Sequence, residues 1–204
     1  MEPQYTKALE AIDFAHAQDP TQTTTTTTAT ANGEEETLPN ELHYANQMTS
    51  YLTKHTPSAS PILQIAVRAQ HLRRWEVPRN TYPATKAGYF SWRTGLGRRQ
   101  AEIARGICLE SGMSEDEADR VAALVRKEDL RRDAETQVLE DVACLVFLDG
   151  GLEEFEKGFD GGEEKVVSIL RKTWGKMSER GRELALAIGE GRLRVGELVS
   201  RALS

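Results

Sequence analysis

Residues 134–149 read AETQVLEDVACLVFLD, and this stretch decides the fold. Placed on an α-helix, Val138, Val142, Leu145 and Leu148 form one apolar stripe, and Val142 to Leu148 are apolar without a break. The spacing predicts a helix buried nearly all round, capped by Asp133 and ended by Gly150 and Gly151. One polar residue falls inside the stripe: Asp141, between Leu145 and Leu148 on the wheel. A carboxylate there is costly to desolvate unless it is paired, hydrogen-bonded or bound to a metal. Two readings stay open, a structural aspartate held by an arginine or a helix N-terminus, and a functional one.

Working outward, the same periodicity recurs along the chain. Helices are expected at YTKALEAIDFAHAQ, at ELHYANQMTSYLTKH after a cap at Asn40, and at ILQIAVRAQHLRRW after Ser60 and Pro61. A further helix starts near Pro83, with Gly95 and Gly97 as points of kinking or breakage. Ser114 with Glu117 and Asp160 with Glu163 have the spacing of capping boxes, and Ser178 opens another helix. No run alternates as a strand between hairpin signals. The fold class expected is all-α, a compact multi-helix bundle. Residues 1–18 form a helix packing on the body, residues 19–38 an unstructured threonine-rich insertion, and residues 39–204 a single domain.

The bulk properties exclude several classes. A net charge of −6 over 204 residues argues against whole-surface nucleic-acid binding, so nucleic acid is not an expected partner. The two cysteines, Cys108 and Cys144, are too few for a metal knuckle and read as buried thiols in a reducing compartment. No apolar run approaches membrane-spanning length, and the N-terminus lacks the pattern of a secretory signal, so the expected location is cytoplasmic, without a membrane partner. An oligomer is compatible with the composition.

Charge is distributed unevenly. Between Arg68 and Arg105 lie nine basic residues, Arg68, Arg73, Arg74, Arg79, Lys86, Arg93, Arg98, Arg99 and Arg105, against Glu76 and Glu102. Aromatic residues interleave with them, Trp75, Tyr82, Tyr89, Phe90 and Trp92, as stacking platforms. Arginine prefers bidentate contacts to phosphate and carboxylate, so the segment predicts an anionic small molecule or nucleotide bound by Arg68, Arg74, Trp75, Arg79, Trp92, Arg93 and Arg98. The alternative is internal pairing with the acidic remainder of the chain. His71 falls in this segment, on the wheel face shared with Gln64, Val67, Arg68 and Trp75, where an imidazole can ligate a metal, carry a proton or hydrogen-bond structurally.

Two local strings carry less than they suggest. Lys176-Met177-Ser178 matches the start of a synthetase loop, but no Rossmann pattern accompanies it and Ser178 reads as a helix cap. GLGRR lacks the preceding strand that a phosphate-binding glycine loop requires.

The segments AQHLRRWEVPRNTYP, AGYFSWR, ALVRKEDL, LEDVACLVFL and LRKTWGKMS closely resemble the domain of unknown function 4202 family of bacteria and fungi, from about Tyr5 to the C-terminus apart from the threonine tract. That family brings no activity with it. More distantly, the order of histidine, histidine and late aspartate is similar to the HD superfamily of all-α metal-dependent phosphohydrolases. This resemblance implies His43, His71 and Asp141 as ligands of a divalent ion, iron or manganese. It departs at Leu72, where the superfamily has an aspartate after the histidine, and at Lys127, Glu128 and Asp129, where a second histidine pair would fall. It further implies a bound ion that supplies hydroxide to a phosphoryl group, with Arg73, Arg74, Lys127 and Glu128 in the catalytic surroundings. Two functions are therefore expected in competition: a metal-dependent hydrolase of a phosphorylated small molecule or nucleotide, and a non-catalytic module binding such an anion. RNA binding through the same segment is a third.

Overall fold

The computed structural model describes residues 2–26, 35–157 and 161–203. The fold is all-α. Its helices are α1 (Pro3–His16), α2 (Asn40–His55), α3 (Pro61–Arg68), α4 (Lys86–Glu110), α5 (Glu115–Val125), α6 (Ala134–Val146), α7 (Leu152–Lys157), α8 (Glu163–Trp174), α9 (Glu179–Gly191) and α10 (Leu193–Leu203). Side-chain caps start several of them. Ser60 accepts from Leu63 N–H, Asp133 from Thr136 N–H and Ser178 from Gly181 N–H, while Ser114 and Glu117 form a reciprocal capping box. Asp160 lies outside the described residues; the residue preceding α8 is Gly162, at φ 72°.

Three features differ from the sequence-based expectation. The flanks of the threonine tract pair as antiparallel strands, β1 (Gln22–Thr26) and β2 (Glu35–Pro39), with Thr24 opposite Thr37. β-Branched threonine suits an extended strand, and here each strand has the other as its hydrogen-bonding partner. Helix α4 runs unbroken through Gly95 and Gly97. Helix α6 does not stop at Gly150; a π-helical turn, Phe147–Gly151, carries it into α7.

The chain divides into two compact units, with α2 contributing residues to both. The first comprises Met1–Thr49 and Ala59–Glu128. In it α4 packs on α5 and α1, and α3 packs on α5 and α1. Its core is rich in small residues, including Ala8, Ala15, Ala45, Ala101, Ala104 and Ala122, around Ile12, Met48, Ile65 and Leu124. Small side chains let helices approach closely, and Cys108 is buried among them. The second unit comprises Ser50–Ser58 and Asp129–Ser204, with α10 on α8 and α9, and α9 on α6. Leu139, Val142, Leu145, Leu148, Leu152 and Leu198 are almost fully buried there, each such leucine contributing about 1.5–3 kcal/mol.

Candidate anion-binding site

The site belongs to the first unit and starts where α3 ends. The helix stops at Arg68, and the chain turns through His71 and Arg73, both left-handed at φ 63° and 51°. His71 is therefore not on the helix face that the wheel assigns to it. A left-handed non-glycine residue costs about 1–2 kcal/mol, so the surroundings must hold it there. They do so on several sides. The imidazole stacks on Tyr44 of α2 at 4.0 Å between ring centroids and 10° between planes. Arg74 Nη1 lies 3.2 Å from Nδ1 and 3.0 Å from Nε2, and its guanidinium sits 5.3 Å from the centre of the buried Trp92 ring. Trp92 is fixed in turn by donating Nε1–H to the Val77 carbonyl at 2.9 Å.

Cationic charge dominates the surroundings of the ring. Burial, followed by the charges of Arg74, Arg93 and Lys127 and the influence of His16, holds the His71 pKa well below its usual value, so the ring is neutral at pH 7. Lys127 is placed by an unusual helix end. After α5 its N–H bonds to Leu124 O and Glu128 N–H to Ala123 O, with Lys127 left-handed at φ 56°. The same Schellman pattern ends α4, where Met113 N–H bonds to Cys108 O and the left-handed residue is Gly112. Lysine occupies in one motif the position that glycine fills without strain in the other.

Glu41, in the first turn of α2, completes the site. It is 5% exposed and its Oε2 has no hydrogen-bond partner among the described residues; His71 Nδ1 stands 3.4 Å away without hydrogen-bond geometry. Burial raises its pKa to about 7, Arg74 opposing and Asp19 adding to the rise. Asp19, also buried, accepts from the Glu41 backbone N–H at 3.0 Å. Glu41 is absent from the residues that the sequence singles out, although it continues the stripe of Ala45, Met48 and Leu52. A carboxylate inside an apolar helix face is the signal that marks Asp141 on α6, and Glu41 carries the same signal on α2.

The basic segment divides between pairing and exposure. Arg68 binds Asp13 at 2.5 Å, Arg105 binds Asp119 at 2.5 Å, Arg99 binds Glu76, and Arg73 lies 3.9 Å from Glu76. Arg79 donates to the carbonyls of Tyr82 and Pro83. Arg74, Arg93 and Arg98 form no ion pair among the described residues, and Arg93 and Arg98 are exposed on α4. Trp75 is half-buried, and Glu128 pairs with Arg126 at 2.6 Å. GLGRR lies inside α4, so helix rather than strand leads into it.

The remaining expected ligands are placed as follows. His43 is half-buried on α2, its pKa lowered by burial. Asp141, in the second unit, is fully buried. Its Oδ1 accepts from Gln137 Nε2 and Ser178 N–H, each at 2.9 Å, and its Oδ2 from His55 Nε2 at 3.0 Å and from Ser178 Oγ. Burial would raise its pKa, but these donors outweigh burial and hold it below the usual aspartate value. This is the helix-N-terminus arrangement, at the start of α9.

A divalent ion fits these surroundings poorly. A guanidinium nitrogen stands against both ring nitrogens of His71, and both oxygens of Asp141 are engaged by donors. Among the described residues no group of three or more His, Cys, Asp or Glu side chains could hold a metal. No helix is long and apolar enough to cross a membrane among them.

The family model described as Domain of unknown function (DUF4202) matches residues 6–199. The chain belongs to this family. No curated protein and no solved structure matches it. The DUF4202 match takes in all but the first turn of α1, the strands around the threonine tract, and every residue of the His71 site.

Proposed function

We propose that this DUF4202 protein binds a phosphorylated small molecule, a nucleotide being one such ligand, in the first unit at Arg74, Arg93 and Lys127 around His71. The observation that carries the reading is the convergence of three cations on one neutral imidazole, two of them, Arg74 and Arg93, without a salt bridge among the described residues. Guanidinium groups that form no salt bridge, beside a half-open ring, offer charge-assisted donors to phosphoryl oxygens. The strained backbone at His71 and Lys127 supports the same reading, since strain that costs stability persists where side-chain placement requires it. Binding is favoured over metal-dependent hydrolysis because the expected ligands His71 and Asp141 already have other partners.

Two variants test this by calorimetric titration with inorganic phosphate. Arg93→Ala removes an exposed side chain and should weaken binding at least about tenfold with Tm unchanged, since such substitutions cost within about 0.5 kcal/mol. Lys127→Gly should weaken binding similarly while raising stability by about 0.5–1 kcal/mol through relief of the left-handed backbone. Unchanged affinity in both variants would overturn the reading.

A further inference from the structure

We infer that Glu41 is the selectivity element of this site: its orphaned Oε2 accepts a hydrogen bond from a proton carried by the ligand's own oxyanion, admitting hydrogenphosphate and rejecting sulfate. The inference rests on the phosphate-binding reading above and narrows it to inorganic hydrogenphosphate, because a phosphomonoester loses its second proton at about pH 6 and brings none at neutral pH. Arg74, Arg93 and Lys127 attract any anion of suitable size and do not distinguish phosphate from sulfate. Glu41 does. Its Oε2 is buried, makes no hydrogen bond, and lies 3.4 Å from His71 Nδ1, the same nitrogen that has Arg74 Nη1 at 3.2 Å. A tetrahedral oxyanion with one oxygen on that guanidinium therefore brings another toward the carboxyl.

Discrimination turns on whether the ligand brings a proton. Every oxygen of sulfate is an acceptor, and set against an ionised, desolvated carboxylate it leaves two acceptors facing each other without a donor. Hydrogenphosphate keeps one O–H at neutral pH and donates it to Oε2, forming a short charge-assisted bond that gives the buried oxygen the donor it lacks. The charged and titratable groups around Glu41 are Asp19 from the segment after α1, and His71 and Arg74 from the segment after α3. Arg93 of α4, Lys127 at the end of α5 and His16 of α1 act on His71 beside it. None of these, as the chain stands, donates a hydrogen bond to Oε2.

Titration of the full chain with phosphate and with sulfate, at constant ionic strength and about pH 8 to keep Glu41 ionised, tests the inference. The wild-type chain should bind phosphate at least about tenfold more tightly than sulfate. Glu41→Gln, whose amide donates to either ion, should bring the two affinities within about twofold of each other, mainly by improving sulfate. Equal affinities in the wild-type chain overturn the inference, and this needs no variant to fold. So does a ratio that Glu41→Gln leaves unchanged. In both cases weakening of both ions by Arg93→Ala leaves the anion site standing. If neither ion binds at all, the site falls and the inference with it.

Discussion

Asp141 and Glu41 are both buried carboxyls on apolar helix faces, and their surroundings treat them oppositely. Four donors surround Asp141, including the backbone N–H and hydroxyl of Ser178. Gly181 makes room for the same contact, since a Cβ there would stand 2.6 Å from Asp141 Cγ. Because its folded pKa is depressed, Asp141 contributes stability that is present above the ordinary aspartate value and lost as pH falls through the folded one. Asp141→Ala should therefore cost about 3 kcal/mol in urea unfolding near pH 7, and less at strongly acidic pH. If that variant keeps its stability and loses metal or ligand binding instead, Asp141 is a ligand. Glu41 has the reverse balance. Its raised pKa reflects burial of a carboxyl to whose Oε2 no described residue donates.

At the scale of elements, three helix ends shape the site. α3 stops at Arg68 and frees the turn that carries His71; α5 closes on a lysine where glycine would suffice; α2 begins with Glu41 in its first turn. α4 holds the opposite wall, with Trp92 buried and Arg93 exposed one residue later. Its glycines divide by what surrounds them. A Cβ at Gly97 meets nothing within 4 Å, so Gly97→Ala should stabilise by about 0.5–1 kcal/mol. A Cβ at Gly88 would collide with the Pro83 carbonyl, so Gly88→Ala should lower Tm by several degrees. Thermal unfolding of the pair checks both signs, and equal shifts would contradict this account of α4.

Across the whole molecule, an acidic chain of net charge −6 keeps a small cationic site in one of its two units. Because Arg74 stands against both ring nitrogens of His71 and donors engage both oxygens of Asp141, stability should not depend on a metal held by these side chains. Incubation with EDTA is expected to leave both Tm and phosphate affinity unchanged. A bound ion removed by the chelator would lower Tm by linkage, and a fall of several degrees together with stoichiometric iron or manganese would restore the hydrolase reading.

The all-α class, the caps at Ser60, Ser114, Asp133 and Ser178, and the buried stripe of α6 were legible in the amino-acid pattern. These depend on residues three or four apart, so their physics is written locally. The basic segment was legible too, but not which of its arginines are paired. Packing between distant segments settles that: Arg68 forms a salt bridge with Asp13 and Arg105 with Asp119, while Arg74 forms none among the described residues. That packing alone placed His71 beyond the end of α3 and set Tyr44, Glu41 and Arg74 against it. Desolvation and pairing are properties of what packs around a group, and for this site those neighbours come from segments far apart in the chain.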